Sequence, residues 1–492
     1  MKNYKEIENR FKEMDILGRI SYLLEWDTET YMPEKASDSR GNQRAYISEK
    51  QQEIILRPDW AELLNNAENE TGLNEWQKEN LRLAKRIWTH QSCLSAAFIN
   101  KWEQATNKSI NIWKQAKKVN DFKSWCPAFE EVLKLTREKA AIKSDVLKLS
   151  PYDTLLDTFQ PDFYQNEIDP IFAELSEKLP PLIAQIKERQ SQKIQPLSQD
   201  YTGEKQDRIV KQIAEIIGFD LTRGRIDKSI HGFTLGSLDD ARITYTQKKS
   251  ITDMILTVIH ETGHALYEQN LPRTWEGQPV GGSLGMTMHE SQSLFWERQI
   301  AQSLEFITFL TQKLKDVFGY DEILEAKIKA QMNTVRPSLI RIEADEVTYP
   351  LHIVMRYEIE KELISGKIEV KDLPDVWQTY MKKLLGIAPK TDTEGCLQDI
   401  HWPSGMIGYF PSYALGAITA AQWMGTLEKE KPEIRTEIAK GAFGKIGGWL
   451  ASNLHQKGSL LPFDQLVKDV SGKPLTTKYF MEHIQNRYLF ED

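Results

Sequence analysis

The sequence predicts a mainly α protein: one large helical body with a small β-sheet beside a histidine-rich site. Three observations lead there. Most of the first half places apolar side chains at three- and four-residue intervals among charges, the spacing of amphipathic helices. Near residue 225 the texture changes to short alternating stretches rich in β-branched residues and glycine. No internal repeat or low-complexity linker divides the 492 residues, so the chain reads as a single domain, 1–492, although its length would accommodate two or three.

The segments "RFKEMDILGRISYLLEW", "NEWQKENLRLAKRIWTHQ" and "FEEVLKLTREKAAIKSDVLKL" read as helices paired in hairpins, making 1–225 a mostly helical wall. Breaks are expected at "YMPEKASDSRGNQ", "LSPYDTLLDTFQPDF" and "QPLSQDYTGEK", where Pro, Gly, Ser and Asp cluster. "RIDKSIHGFTLGSLDDARITYTQ" predicts two or three short strands with turns. Helical periodicity resumes at Thr252 and is interrupted by "GIAPKTDTEGCLQDIHWPSGMIGYFPSYALG", which reads as a loop. Residues 226–420 then hold the site, and 421–492 form C-terminal helices.

Composition narrows the class. Hydrophobic residues at 40%, charged residues at 27% and a mean hydropathy of -0.50 describe a soluble globular chain. No apolar run approaches the roughly 20 residues that cross a bilayer, and "MKNYKEIENRFKEMDILGRI" lacks the features of a secretory signal. The expected location is the cytoplasm. Cys93, Cys126 and Cys396 form no CxxC pair, which argues against a thiolate site and leaves His and carboxylate as metal donors. A net charge of -8 without a dense basic block argues against a nucleic-acid partner, and no membrane partner is expected.

Six of the nine histidines lie between His231 and His401, which directs the search for chemistry to that half. There "SITDMILTVIHETGHALYEQNLP" has a helix-start signal at Thr252-Asp253, an apolar face through Met254, Ile255, Val258, Ile259 and Leu266, and Pro272 past its end. On that helix His260 and His264 point the same way and can offer two imidazole nitrogens to one tetrahedral cation. Glu261, turned by about 100°, hangs beside the metal, where it can take a proton from a bound water and pass it to a leaving amine. The plainer alternative is two buried imidazoles on an amphipathic helix, so a third ligand matters. Glu268, His289, Glu290, Glu297 and His231 are the candidates. Glu268 sits a further turn away. Glu290, early in a second predicted helix, "MHESQSLFWERQ", is best placed to deliver a carboxylate. His289 is expected to support a ligand from behind, and Glu297 to be a solvated charge.

Five motifs then occur in order: "DARIT" at Asp240 to Thr244, "HETGH" at His260 to His264, "HESQ" at His289 to Gln292, "IRIEAD" at Ile340 to Asp345, and "GCLQDIHW" at Gly395 to Trp402. On these the chain resembles the carboxypeptidase Taq family of metallocarboxypeptidases, from "LLEWDTETYMP" to "GYFPSYALG" and beyond. The resemblance implies ligands His260, His264 and Glu290, Glu261 as general base and acid, a helical fold with a deep active-site cleft and a small sheet beside the metal, and a homodimer. Two departures stand out: "HGF", with Gly232, where the family commonly has His-Pro-Phe, and Thr246 where it commonly has a basic residue.

An exopeptidase acting at C-termini must hold a free carboxylate, for which a guanidinium is best shaped. Arg341 of "IRIEAD" is the first choice and Arg242 of "DARIT" the second, with Arg336 also near; a simple pairing of Arg341 with Asp345 on one helix is the alternative. His401 and Tyr409 are assigned to the tetrahedral intermediate or the substrate backbone. Asp399 would orient His401 or another ligand from behind, and Trp402 would pack. In "YLLEWDTETYMP", Trp26 and Met32 read as packing and Asp27 as part of a polar network. The expectation is a zinc-type metallocarboxypeptidase acting on peptides with a free C-terminus, with Co2+ or Mn2+ able to replace Zn2+. A metal-dependent endopeptidase or aminopeptidase and a catalytically silent helical scaffold remain as alternatives.

Overall fold

The computed structural model describes residues 1–190, 197, 203–248, 250–319 and 324–490, and among these the chain forms twenty α-helices and one three-stranded sheet. The mainly α expectation holds. Five helices build or flank the site: α1 (Lys2–Thr30), α2 (Ile251–Gln269), α3 (Gly285–Leu294), α4 (Tyr349–Ser365) and α5 (Pro411–Glu430). None of the described helices is long and apolar enough to cross a membrane.

Two of the expected breaks are narrower than predicted. Helix resumes at Ser37, and "LSPYDTLLDTFQPDF" contains the helix Pro151–Phe159. There the Ser150 hydroxyl accepts from the Asp153 amide at 3.2 Å while Pro151 occupies the first helical position, where its missing N–H costs nothing. Serine and proline signalled a cap, not a loop. The break at 195–205 falls mostly outside the described residues. In the long expected loop, the end "PSYALG" is already the first turn and more of α5, again with a proline at its start.

The strands are β1 (Gly224–Lys228), β2 (Phe233–Ser237) and β3 (Asp240–Tyr245), in the order β1-β3-β2. β1 runs parallel to β3, and β2 antiparallel to it with Thr234 opposite Ile243 and Leu235 opposite Arg242. Alternation gives the sheet two faces. Ala241, Ile243 and Tyr245 are buried on one side, while Arg225 and Arg242 turn to the other and stack on Trp26 of α1, 4.6 and 4.3 Å from the indole.

A large hydrophobic cluster runs from Trp113 to Tyr488, and a smaller one joins α1 to the helices up to Ala84. α1 therefore roots in the small cluster and reaches across to the sheet, where Arg19 pairs with Glu276 at 2.6 Å and the hydroxyl of Tyr31, next after the helix, donates to Asp227 at 3.0 Å. Asp27 pairs with Arg40 at 2.6 Å, as its polar-network reading expects, and Trp26 is 6% exposed, as packing requires.

Candidate metal centre

α2 starts at Ile251 because Ser250, in an extended conformation, accepts from the Asp253 amide at 3.3 Å, and Asp253 adds negative charge to the first turn. His260 and His264 leave the helix one turn apart on the same face. Their Nε2 atoms lie 3.9 and 3.4 Å from Glu290 Oε2, and ligand atoms of the three residues lie within 4.8 Å of one another. The histidine side chains are 23% and 14% exposed, so the cluster opens to solvent.

Two glycines let Glu290 approach. A Cβ on Gly263 of α2 would sit 2.7 Å from the Gln292 carbonyl oxygen of α3, and one on Gly416 of α5 would sit 2.8 Å from the Glu290 side chain. α3 is thus clamped between two helices that meet it backbone to backbone. Its first turn is anchored by Gln160, whose side-chain oxygen accepts from the Thr287 amide at 3.0 Å. Gly285, at φ +79°, supplies the left-handed entry.

Beyond Leu294, α3 widens into a π-helical segment, Phe295–Ala301, that carries Glu297. Glu297 is not the solvated charge its sequence suggested. It is 9% exposed, with Oε2 2.7 Å from His260 Nδ1 and Oε1 2.9 Å from Arg298 Nε. On the other histidine, His264 Nδ1 lies 2.6 Å from His289 Nδ1, and His289 Nε2 lies 2.9 Å from Glu268 Oε1. One set of neutral tautomers satisfies all of these contacts: His260 donates to Glu297, His264 to His289, and His289 to Glu268. The Nε2 atoms of His260 and His264 then carry free lone pairs on the side of Glu290, the state in which imidazoles can bind a metal.

The charges agree. Burial opposes a charge on His260, yet Glu290, Glu297 and Glu261 together raise its pKa to about 9, while Glu290 is drawn down to about 2 against its own burial by His260 and His264. The cluster calls for positive charge at its centre.

Glu261 is 8% exposed, and its Oε2 accepts from the Thr234 hydroxyl of β2 at 2.6 Å. Gly232 lies against this pair: a Cβ there would stand 2.8 Å from Thr257 Cγ2 and 3.5 Å from Glu261 Cγ. His231, a candidate ligand in the sequence, is absent from the cluster. Its carbonyl accepts from Thr244, and its ring faces Phe233 at 5.7 Å.

The arginines fall in three different places. Arg341 is 7% exposed in a short 3-10 turn, Arg341–Glu343, so the helix expected there does not form and Asp345 is not its partner. Instead Arg341 donates to Asp399 through Nε and Nη2, at 3.0 and 2.8 Å, and to the Tyr349 hydroxyl through Nη1 at 2.9 Å. Asp345 instead accepts from the amides of Arg336, Val347 and Thr348 just before α4. Arg242 pairs with Asp240 on the sheet face turned away from α2, and Arg336 is exposed.

Asp399 therefore does not orient His401. It sits between Arg341 and Arg356, the latter fully buried and donating to Oδ2 at 2.8 and 2.5 Å. His401 is 9% exposed, its Nε2 3.3 Å from the Tyr413 hydroxyl and its Nδ1 without a partner. Tyr409 packs on His401 and Tyr413, at ring separations of 5.4 and 5.2 Å. Burial raises the pKa of the Tyr349, Tyr409 and Tyr413 hydroxyls, and the charge of Glu290 adds to the shift in all three. Trp402 packs as expected at 2% exposure. Sequence reasoning missed Arg356, Tyr349 and Tyr413. An arginine within the apolar run "LHIVMRY" was the available signal for the first.

Comparison with known proteins extends over the whole chain. Residues 6–488 match the carboxypeptidase Taq (M32) metallopeptidase family. The thermostable carboxypeptidase 1 of Pyrococcus furiosus is 32% identical over 99% of this chain and 98% of its own, and the carboxypeptidase 1 of Bacillus subtilis 34% identical over 98% and 99%. The structure of Trypanosoma cruzi metallocarboxypeptidase 1 superposes with a TM-score of 0.97 at 36% identity, covering 99% of this chain and 100% of that one. The M32 carboxypeptidase of Deinococcus radiodurans superposes with a TM-score of 0.95 at 28% identity, over 99% of both chains. The chain belongs to the carboxypeptidase Taq (M32) family of metallopeptidases.

Proposed function

We propose that this chain is a zinc carboxypeptidase that releases single amino acids from peptides with a free C-terminus, using His260, His264 and Glu290 as metal ligands and Glu261 as general base and acid. The observation that carries it is the convergence of two imidazole Nε2 atoms and one carboxylate oxygen within 4.8 Å, next to Glu261. Two histidines and a glutamate are a donor set of catalytic zinc sites, with one position left open, and they also accept cobalt or manganese. When bound, the cation supplies Lewis acidity, lowering the pKa of a water and polarising the scissile carbonyl.

Glu261 takes the proton from that water and delivers it to the departing amine. Thr234 holds the carboxylate in place from the edge strand. Arg341 is the preferred group for the terminal carboxylate: of its five N–H donors three are engaged, which leaves two for a substrate. Arg242 and Arg336 are weaker choices, the first for its sheet face and the second for its exposure. Tyr409 and His401 are positioned to donate to the intermediate or to the substrate backbone. His289 supports His264, and Asp399 fixes Arg341.

The same proposal treats 1–492 as one functional body and takes the protein to be cytoplasmic and homodimeric, on the strength of composition and of the family resemblance. Its test is one short peptide, offered as free acid and as C-terminal amide to protein stripped with a chelator and reloaded with zinc or cobalt. Loss of the last residue from the free acid alone, and only after reloading, is expected. Equal cleavage of the amide would replace the proposal with an endopeptidase, and no cleavage under any metal with a scaffold. Glu261→Gln should retain its metal and lose several orders of magnitude in turnover.

A further inference from the structure

Away from the metal, the helices Glu75–Ser92, Phe122–Leu147 and Pro151–Phe159 bring Arg86, His90, Lys139 and Lys143 together with a single carboxylate, Asp157. That carboxylate is saturated. Oδ2 accepts from Arg86 at 2.8 Å and lies 2.7 Å from His90 Nε2, while Oδ1 accepts from the Tyr164 hydroxyl at 3.0 Å and the Asp162 amide at 3.1 Å. Its one negative charge is set against three cations, Arg86, Lys143 and Lys139, and the other acidic group facing the two lysines is the Cys93 thiol, whose pKa burial raises.

Lys143 is 4% exposed, and its ammonium lies 3.0 Å from His90 Nδ1, which accepts because Nε2 donates to Asp157. Lys139 is half-buried with its ammonium 4.0 Å over the Trp102 ring. Among the described residues, neither ammonium is paired with a carboxylate. Two further buried donors here, Arg86 Nε and Trp102 Nε1, have no acceptor. Burial pushes Lys139 down to about 8, with the charge of Lys143 adding to the effect, and burial lowers Lys143 as well. Among the described residues, the two unpartnered buried atoms of this cluster are both donors. Water could satisfy the hydrogen bonds, but it would not balance the charge.

We propose that Lys139 and Lys143 form a binding site for a small anion, a carboxylate or an inorganic oxyanion. The cluster adjoins the loop that carries His401 and Tyr409. A Cβ on Gly405 would meet the Trp102 ring at 2.6 Å, and the Phe159 ring, two residues past Asp157, is 5.0 Å from that of Tyr409. The anion has two sources: an acidic side chain upstream in the peptide, or a free ion that stiffens this loop. The site does not depend on the peptidase reading. Only the first source does.

The test has two arms. In the first, the melting temperature of the metal-loaded protein is followed against sodium sulfate for wild type, Lys139→Gln and Lys143→Gln. Without sulfate each variant should melt at or above wild type, having lost an uncompensated buried charge, and with sulfate wild type should overtake them. Should one variant fail to fold, the other carries the comparison. In the second arm, peptides that differ only by Glu or Gln at one upstream position are compared on the same three proteins. A preference for Glu of about tenfold in wild type, lost in both variants, identifies the peptide as the source. Equal rates together with the sulfate effect identify a free ion. Parallel melting curves for all three proteins, with no Glu preference, would overturn the site.

Discussion

Glu297 Oε2 lies 2.7 Å from His260 Nδ1, and this contact fixes which nitrogen of the imidazole faces the proposed metal. A carboxylate behind a ligating histidine holds its tautomer and strengthens it as a donor. Glu297→Gln keeps an acceptor oxygen but loses the charge, so metal affinity should fall about 10- to 100-fold. Competition against a chelator reads this directly, and an unchanged affinity would remove Glu297 from the metal's support.

Gly263→Ala tests the close contact between α2 and α3. Alanine in a helix interior ordinarily gains roughly 0.5–1 kcal/mol over glycine. Here the new methyl would sit 2.7 Å from Gln292 backbone, and overpacking of this kind costs about 1–3 kcal/mol. The variant should melt lower and bind metal more weakly, because displacing α3 displaces Glu290. Gly447, in the helix Gly444–Asn453 with nothing within 4 Å, is the control. Gly447→Ala should be neutral or stabilising, and equal effects at both positions would refute the packing explanation.

The contrast between Glu290 and Glu297 shows what the sequence makes legible. Periodicity, capping residues and the ordered motifs led to the helices, the small sheet and the pairing of Glu290 with His260 and His264, because each signal is local or has a fixed spacing. Glu297 was opaque because its burial comes from a π-helical widening that no hydrophobic pattern announces. The four-residue spacing of Arg341 and Asp345 offers a helical pairing as the alternative to a substrate role, whereas the partner of Arg341 is Asp399, far along the chain. A charge pair that spans two elements leaves no trace in spacing. Gly263 lies inside the expected helix and Gly416 at the end of the expected loop, and only the approach of α3 gives either its meaning.

Glu346 ties the segment before α4 to the chain's last turns. It accepts from Arg487 and the Tyr488 hydroxyl, both at 2.8 Å, and lies 3.2 Å from His483 Nε2. Burial would raise its pKa, but Arg487 and His483 hold it well below the usual carboxylate range. A depressed carboxylate contributes stability that is present above its unfolded pKa and lost as pH falls. Glu346→Gln should therefore cost about 1.5–3 kcal/mol near neutrality, where it weakens the charge-assisted hydrogen bonds from Arg487 and Tyr488. The gap in melting temperature from wild type should narrow from about pH 4.5 downward. A gap independent of pH would mean that the loss is one of shape.

Glu360 presents the opposite sign. It is fully buried on α4, with Oε1 accepting from the Trp402 indole at 2.9 Å and Oε2 from the Gly408 amide at 3.0 Å and the Tyr152 hydroxyl at 2.8 Å. One side chain thus grips both ends of the loop between His401 and Tyr409. Burial pushes its pKa up to about 7, while these three donors and Arg356 restrain the rise. The folded state holds a proton that the unfolded chain releases above about pH 4.5. This contribution is therefore complete below about pH 4.5, shrinks as pH rises, and is gone above about 7. Measured against Glu360→Gln, which cannot titrate, wild-type stability should decline by at most about 3 kcal/mol across that window and run parallel above it. Melting curves at several pH values decide it, and a difference that grows toward alkaline pH would place the charged form, held by its three donors, as the native one.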